Sequence, residues 1–345
     1  MPHLLALRDL SATEITGLLD RSEIYAAADR GDELAGLTMA TLFYEPSTRT
    51  EISFELAARR LGADVVRCDV DRSSVKKGES LADTVRTLES LGVGLIAVRH
   101  PAAGAAHLAA RHVRCAVINA GDGMHEHPTQ GLLDLLTVRR AKGRIAGLRV
   151  AIVGDVRHSR VARSAAWGFA KLGASVVAVG PATLLPSHAD GLPVGLATSL
   201  ADGLDGADVV MVLRMQRERQ HGGYVPSLAE YTRSWGIDSR ALGAAKADAI
   251  VLHPGPANLG IEVSAEVAYG PQSQISRQVA AGVPVRMAAS AWAAGRDRVL
   301  PAAHSRRAAA AARRSLAANG ILQFDHPAVT GHEARRSTQR GTNGD

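Results

Sequence analysis

Seven short apolar runs punctuate the chain, at residues 40–44, 95–98, 116–118, 149–153, 175–179, 209–213 and 249–252. They are rich in β-branched residues and continuous rather than alternating. That pattern predicts parallel strands buried on both faces. Helical patterns lie between them. One opens after Pro46 and Ser47 and runs to about Leu61, with Gly62 as its stop. Another spans about Ser159 to Leu172 and Gly173. Strands alternating with helices predict an α/β fold of two domains, each a parallel β-sheet flanked by helices. The segment 141–147 is the expected boundary between the two sheets.

In open parallel sheets, ligands bind beyond the carboxyl ends of the strands. The residues at those ends are therefore the candidates. Ser47, Thr48, Arg49 and Thr50 follow the first run, and Arg99 and His100 the second. After the third come Asn119, then His127, Pro128, Thr129 and Gln130; His158, Ser159 and Arg160 follow the fourth. Arg214, Met215 and Gln216 follow the sixth, and His253, Pro254, Gly255 and Pro256 the seventh. Cations and hydroxyls dominate this set.

Ser47 to Thr50 sit where a strand gives way to a helix. Unpaired N–H groups and the helix dipole favour an anion there, and the arginine fork matches phosphate. The plain alternative is a serine N-cap on a solvated helix. The further cations at neighbouring strand ends favour the anion. His127 alone reads as a structural histidine. Beside Arg99 and Thr50 it becomes a donor to a carbonyl oxygen. No Ser-His-Asp or Cys-His spacing suggests a covalent nucleophile. The polar segment 73–80, with Lys76 and Lys77, reads as an exposed loop or as a lid whose lysine reaches an anion.

Composition narrows the classes. The 345 residues include 46% hydrophobic and 3% aromatic positions, which suits a globular chain and disfavours base-stacking platforms. The net charge is +6, but residues 297–345 hold 8 Arg against 4 acidic groups. The body is therefore nearly neutral, and no nucleic-acid stripe is expected. Residues 297–345 are expected to form a poorly ordered tail. Two cysteines and no Cys/His cluster suggest neither disulfides nor zinc, and no apolar stretch is long enough to span a membrane. A cytoplasmic setting is expected. The single glycine after 149–153 rules against a dinucleotide turn, and no Gly-Lys-Ser/Thr row is present to hold ATP. No metal or organic cofactor is implied.

The residues resemble the aspartate and ornithine carbamoyltransferases. Ser47, Thr48, Arg49 and Thr50, followed by Ser53, Phe54 and Glu55, are similar to the family's carbamoyl-phosphate motif. His127 to Gln130 with Asp134 are similar to its second motif. Lys76 to Glu79, Arg214 to Gln216 with Glu218 and Arg219, and His253 to Pro256 resemble the aspartate branch. The cysteine-containing row of the ornithine branch is absent.

The resemblance implies carbamoyl transfer from carbamoyl phosphate to L-aspartate, giving N-carbamoyl-L-aspartate and phosphate, a step of pyrimidine biosynthesis. It implies that Ser47, Thr48, Arg49 and Thr50 hold phosphate. Thr50, Arg99 and His127 would hold the carbonyl oxygen. Gln130 and the carbonyls of Gly255 and Pro256 would hold the carbamoyl nitrogen. Arg160, Arg214 and Gln216 would bind aspartate. Lys77, with Ser73 or Ser74, would enter from the neighbouring subunit of a homotrimer. Regulatory or dihydroorotase-type subunits are further partners the family allows. Residues 1–140 would bind carbamoyl phosphate, completed by a C-terminal helix over about 284–296, and 141–283 would bind aspartate. Glu51 departs from the family's arginine and is expected to point away from phosphate.

Overall fold

A computed structural model describes residues 2–70, 77–187, 191–215, 224–225 and 227–296. The elements run α1 (Ala12–Ala28), β1 (Thr38–Phe43), α2 (Thr48–Arg60), β2 (Asp64–Cys68), α3 (Leu81–Ser90), β3 (Val93–His100), α4 (Ala105–His112), β4 (Ala116–Asp122) and α5 (Pro128–Lys142). They continue through β5 (Arg149–Val153), α6 (Arg160–Lys171), β6 (Ser175–Val179), β7 (Gly195–Ala197), α7 (Leu200–Leu204), β8 (Val209–Val212), α8 (Leu228–Trp235), α9 (Ser239–Leu242), β9 (Ile250–Leu252), α10 (Ala265–Tyr269) and α11 (Ile275–Ala293).

Two all-parallel sheets result, ordered β2-β1-β3-β4 and β7-β6-β5-β8-β9. Each apolar run of the sequence coincides with a strand, three of them extending one residue beyond it, at Tyr44, Leu213 and Ala249. The edge strands β2 and β7 had no such run: Asp64–Cys68 and Gly195–Ala197 are half-exposed or exposed, so nothing selects an unbroken apolar segment there. One hydrophobic cluster continues from the first sheet into the second, through Leu95, Ile118, Leu135, Ala162, Phe169, Val150, Ile152 and Leu252.

α5 and α6 join the two halves at close range. A Cβ on Gly131 would lie 2.6 Å from Leu7 Cδ1 and 3.0 Å from Ser164 Cβ. One on Gly168 would lie 2.8 Å from Leu135 Cδ1. The two bare positions let the helices approach until the His127 N–H donates to Ser164 Oγ at 2.9 Å. Enlarging either glycine would overpack this junction, at a typical cost of about 1–3 kcal/mol.

α11 corrects the expected last helix. It starts at Ile275, well before residue 284, and Pro284 lies inside it. An internal proline forfeits one helical hydrogen bond. The helix passes through because Val285, Met287, Ala288 and Ala289 are buried against α1, α2 and α5. The tail at 297–345 lies outside the described residues. Among the described residues no helix is long and apolar enough to cross a membrane.

Candidate active site

Most helices in the described part are capped by a side chain: Ser11, Ser80, Ser159, Ser199, Ser227, Asp238 and Ser264 each accept from the first turn. α2 and α5 are not. Ser47 occupies the N-cap of α2 and His127 that of α5, and neither side chain makes the capping bond. Their first-turn donors are thus left for another acceptor. Thr50 is buried, whereas Thr48 and Arg49 are exposed at the mouth. Glu51 turns to the side, its Oε1 3.3 Å from Arg67 Nε, as expected for a helix residue pointing away from the cap.

β1 and β3 are neighbours, so residues 44–50 stand beside Arg99; the Tyr44 N–H donates to the Arg99 carbonyl at 2.8 Å. Arg99 Nη1 reaches the Ala120 carbonyl at 3.3 Å. Arg160 opens α6 from the second sheet and is buried. Its Nη2 donates to Glu45 Oε2 at 2.7 Å, and Arg99 Nε lies 3.6 Å from the same oxygen. Gly121, at φ 115°, lets both guanidiniums pass: a Cβ there would lie 3.0 Å from Arg160 Nε and 3.2 Å from Arg99 Nη1. The geometry brings Arg99 and Arg160 together from different sheets.

His127 is buried beside them. Burial first, then the positive charges of Arg99, Arg286 and Arg160, hold its pKa well below the ordinary value. The ring is therefore neutral near pH 7 and can donate one N–H. Its Nδ1 has no hydrogen-bond partner among the described residues. The backbone beneath it is fixed: Ser164 donates to Glu126 Oε2 at 2.8 Å, and that oxygen also accepts from the Leu7 N–H at 2.7 Å.

One turn into α5, Gln130 Nε2 donates to Asp134 Oδ1 at 2.9 Å. Gln278 Nε2, from α11, donates to the same oxygen at 2.8 Å. The Gln278 carbonyl oxygen accepts from the His253 N–H at 2.9 Å. Asp134 is fully buried, and burial pushes its carboxyl up to about 7. Arg286, also buried, lies 5.1 Å above the Phe54 ring, and desolvation lowers it to about 10. The loop after β9 closes over the cluster. Gly255 lies against the Arg49 guanidinium and takes φ 67°, a left-handed conformation that favours glycine, and the Gly255–Pro256 bond is cis.

The remaining expected residues divide. Arg214 follows β8 at half-buried depth. Lys77 is exposed. Gln216, Ser73 and Ser74 lie outside the described residues. A separate group, His107, Asp122 and His125, brings potential ligand atoms within 4.8 Å of one another. Its carboxylate already accepts from Asn119 Nδ2 at 2.7 Å, the Gly104 N–H at 2.8 Å and His125 Nδ1 at 3.1 Å. Those bonds pin the turn that leads into His127. The bond to Asp122 raises His125 above its ordinary pKa.

Residues 2–140 match the carbamoyl-phosphate-binding domain model of the aspartate/ornithine carbamoyltransferases, and residues 146–293 match the model of their aspartate/ornithine-binding domain. The chain belongs to this family. It is 54% identical over 291 residues to an aspartate carbamoyltransferase catalytic subunit from Beijerinckia indica, covering 83% of this chain and 92% of that one. A catalytic subunit from Bradyrhizobium diazoefficiens is 55% identical, with the same coverage. Among solved structures, aspartate transcarbamoylase from Trypanosoma cruzi in complex with carbamoyl phosphate and aspartate aligns with TM-score 0.74 at 30% identity, over 83% of this chain and 93% of that one. Ornithine carbamoyltransferase from Thermus thermophilus aligns with TM-score 0.77 at 26% identity, over 85% and 99%.

The family reading of the sequence passes over several residues that build the site. Glu45 went unassigned because it stands among donors and carries the opposite charge. Glu126 and Ser164 act through the backbone of His127. Gln278 and Arg286 are polar positions in an apolar helix, a visible signal whose partners 144 and more residues away are not.

Proposed function

We propose that the chain transfers the carbamoyl group of carbamoyl phosphate to the amine of L-aspartate, releasing N-carbamoyl-L-aspartate and phosphate. The amine lone pair attacks the carbonyl carbon, the bond from that carbon to the phosphate-bridging oxygen breaks, and the departing phosphate takes the amine proton. No covalent enzyme intermediate is needed. The observation that carries this reading is His127, buried at the uncapped start of α5 within the electrostatic reach of Arg99 and Arg160.

Negative charge develops on the carbonyl oxygen as the amine adds. Thr50, Arg99 and His127 are preorganised donors for it, and loss of one such donor typically costs about 100- to 1000-fold in rate. Ser47, Thr48, Arg49 and Thr50 receive the phosphate at the uncapped start of α2. The acceptor side of Gln130, with the Gly255 and Pro256 carbonyls, takes the carbamoyl N–H groups. Arg160 and Arg214, with Gln216, take the two carboxylates of aspartate. Cations at both ends favour a dicarboxylate over ornithine, whose side-chain ammonium needs an acidic partner, and the 54–55% relatives agree.

Residues 1–140 with α11, which packs on α1, α2 and α5, are the carbamoyl-phosphate half, and 141–274 the aspartate half. Lys77, exposed at the end of the polar segment before α3, completes the site of the next subunit in a homotrimer. Calorimetry with N-(phosphonacetyl)-L-aspartate, which carries both anionic ends on one frame, tests the site. Binding that carbamoyl phosphate blocks and Arg99→Ala abolishes is expected. Binding indifferent to both would refute the assignment.

A further inference from the structure

The Gln130 side chain can face the site in two ways. Presenting its oxygen, it accepts an N–H. Presenting its nitrogen, it would donate and repel a carbamoyl amine. A free glutamine can exchange the two by turning its terminal torsion.

Asp134 removes the choice. It is fully buried four residues along the same helix, and its Oδ1 accepts from Gln130 Nε2 at 2.9 Å. Oδ1 also accepts from Gln278 Nε2, whereas Oδ2 has no partner among the described residues, so a proton on this carboxyl sits on Oδ2 and a turned amide would still set oxygen against oxygen at Oδ1, an unpaired contact a buried site does not tolerate. Gln278 fixes Asp134 in turn: its Nε2 lies 2.8 Å from the same Oδ1, and its own amide is locked by the His253 N–H at 2.9 Å. A backbone donor in the second half of the molecule thus defines which end of Gln278 faces Asp134. Asp134 then defines which end of Gln130 faces the substrate.

We propose that Asp134 is a specificity-determining positioning residue, which holds Gln130 as an obligate hydrogen-bond acceptor so that the site selects an acyl phosphate carrying an N–H over one carrying a methyl group. The proposal rests on the reading of Gln130 as the carbamoyl-nitrogen contact. Acetyl phosphate is the natural probe. It matches carbamoyl phosphate in charge and size and differs by CH3 in place of NH2. Sites built to hydrogen-bond a polar group reject the analogue that lacks it far more strongly than apolar pockets sort by size.

The test measures KM for carbamoyl phosphate and the competitive inhibition constant of acetyl phosphate, in wild type, Gln130→Ala, Asp134→Ala and Asp134→Leu. These constants do not depend on what fraction of a preparation is folded. Both Asp134 variants are expected to weaken carbamoyl phosphate about tenfold or more while acetyl phosphate moves less than about threefold, as Gln130→Ala does. If Gln130→Ala behaves so but the Asp134 variants weaken both ligands equally, or neither, the positioning role is overturned and the Gln130 contact stands. If Gln130→Ala itself does not discriminate, the underlying reading of Gln130 fails. Neutron diffraction from deuterium-exchanged wild-type crystals decides independently of any variant. The Gln130 ND2 group is expected to face Asp134; its oxygen facing Asp134 would overturn the proposal.

Discussion

Glu45 and Arg160 meet across the gap between the two sheets, Oε2 to Nη2, at 2.7 Å. Glu45 follows β1 of the first sheet, and Arg160 opens α6 after β5 of the second. The arginine is buried, so the pair escapes most of the screening that makes surface ion pairs nearly neutral in energy. Glu45 therefore aims a guanidinium that the proposed reaction needs for aspartate.

Glu45→Gln keeps the shape and removes the charge. The expected result is a rise of about tenfold in KM for aspartate, with carbamoyl-phosphate affinity changed less than about threefold, because Arg99 retains its bond to the Ala120 carbonyl. Steady-state kinetics in both substrates checks this. Equal weakening of the two substrates would show that Glu45 supports the fold rather than aiming Arg160.

His127 is expected to stay neutral well into acid. Burial and three arginines lower its folded pKa, while the unfolded chain titrates near the ordinary value of 6.5. The unfolded state then binds the proton first on acidification. The resulting stability is present above about pH 6.5 and is lost as pH falls from there toward the folded pKa. The Cε1 proton shift of His127 should remain flat from about pH 8 to pH 6. A sigmoid centred near 6.5 would contradict the depressed pKa.

The strand ends of this molecule were legible in its sequence because buried parallel strands leave unbroken apolar runs. Residues 149–153 and 175–179 became β5 and β6 without adjustment. Edge strands β2 and β7 were not legible, since exposure erases the run. The donors Arg99, His127 and Arg160 were legible as types at the right places, and the structure gathers them. What was hidden is the support beneath them. Ser164 under His127 and Gln278 beside Asp134 act over long sequence separations, and no local pattern marks such a partner.

The shared site in a trimer has its own test. Lys77→Ala and Arg49→Ala trimers should each be inactive when reassembled alone. If the site joins Arg49 of one subunit with Lys77 of the next, random equal mixing leaves about one site in four free of either substitution. Mixed, dissociated and reassociated protein should recover roughly a quarter of wild-type activity. No recovery in trimers shown to be hybrid would place Lys77 in its own chain's site or outside any site.

The products decide which amine accepts the carbamoyl group. Purified enzyme should be incubated with labelled carbamoyl phosphate and either L-aspartate or L-ornithine, and the products separated. N-carbamoyl-L-aspartate and equimolar phosphate are expected from the first mixture, and no citrulline above background from the second. Citrulline as the dominant product, or no carbamoylated amino acid from either mixture, would contradict L-aspartate as the acceptor.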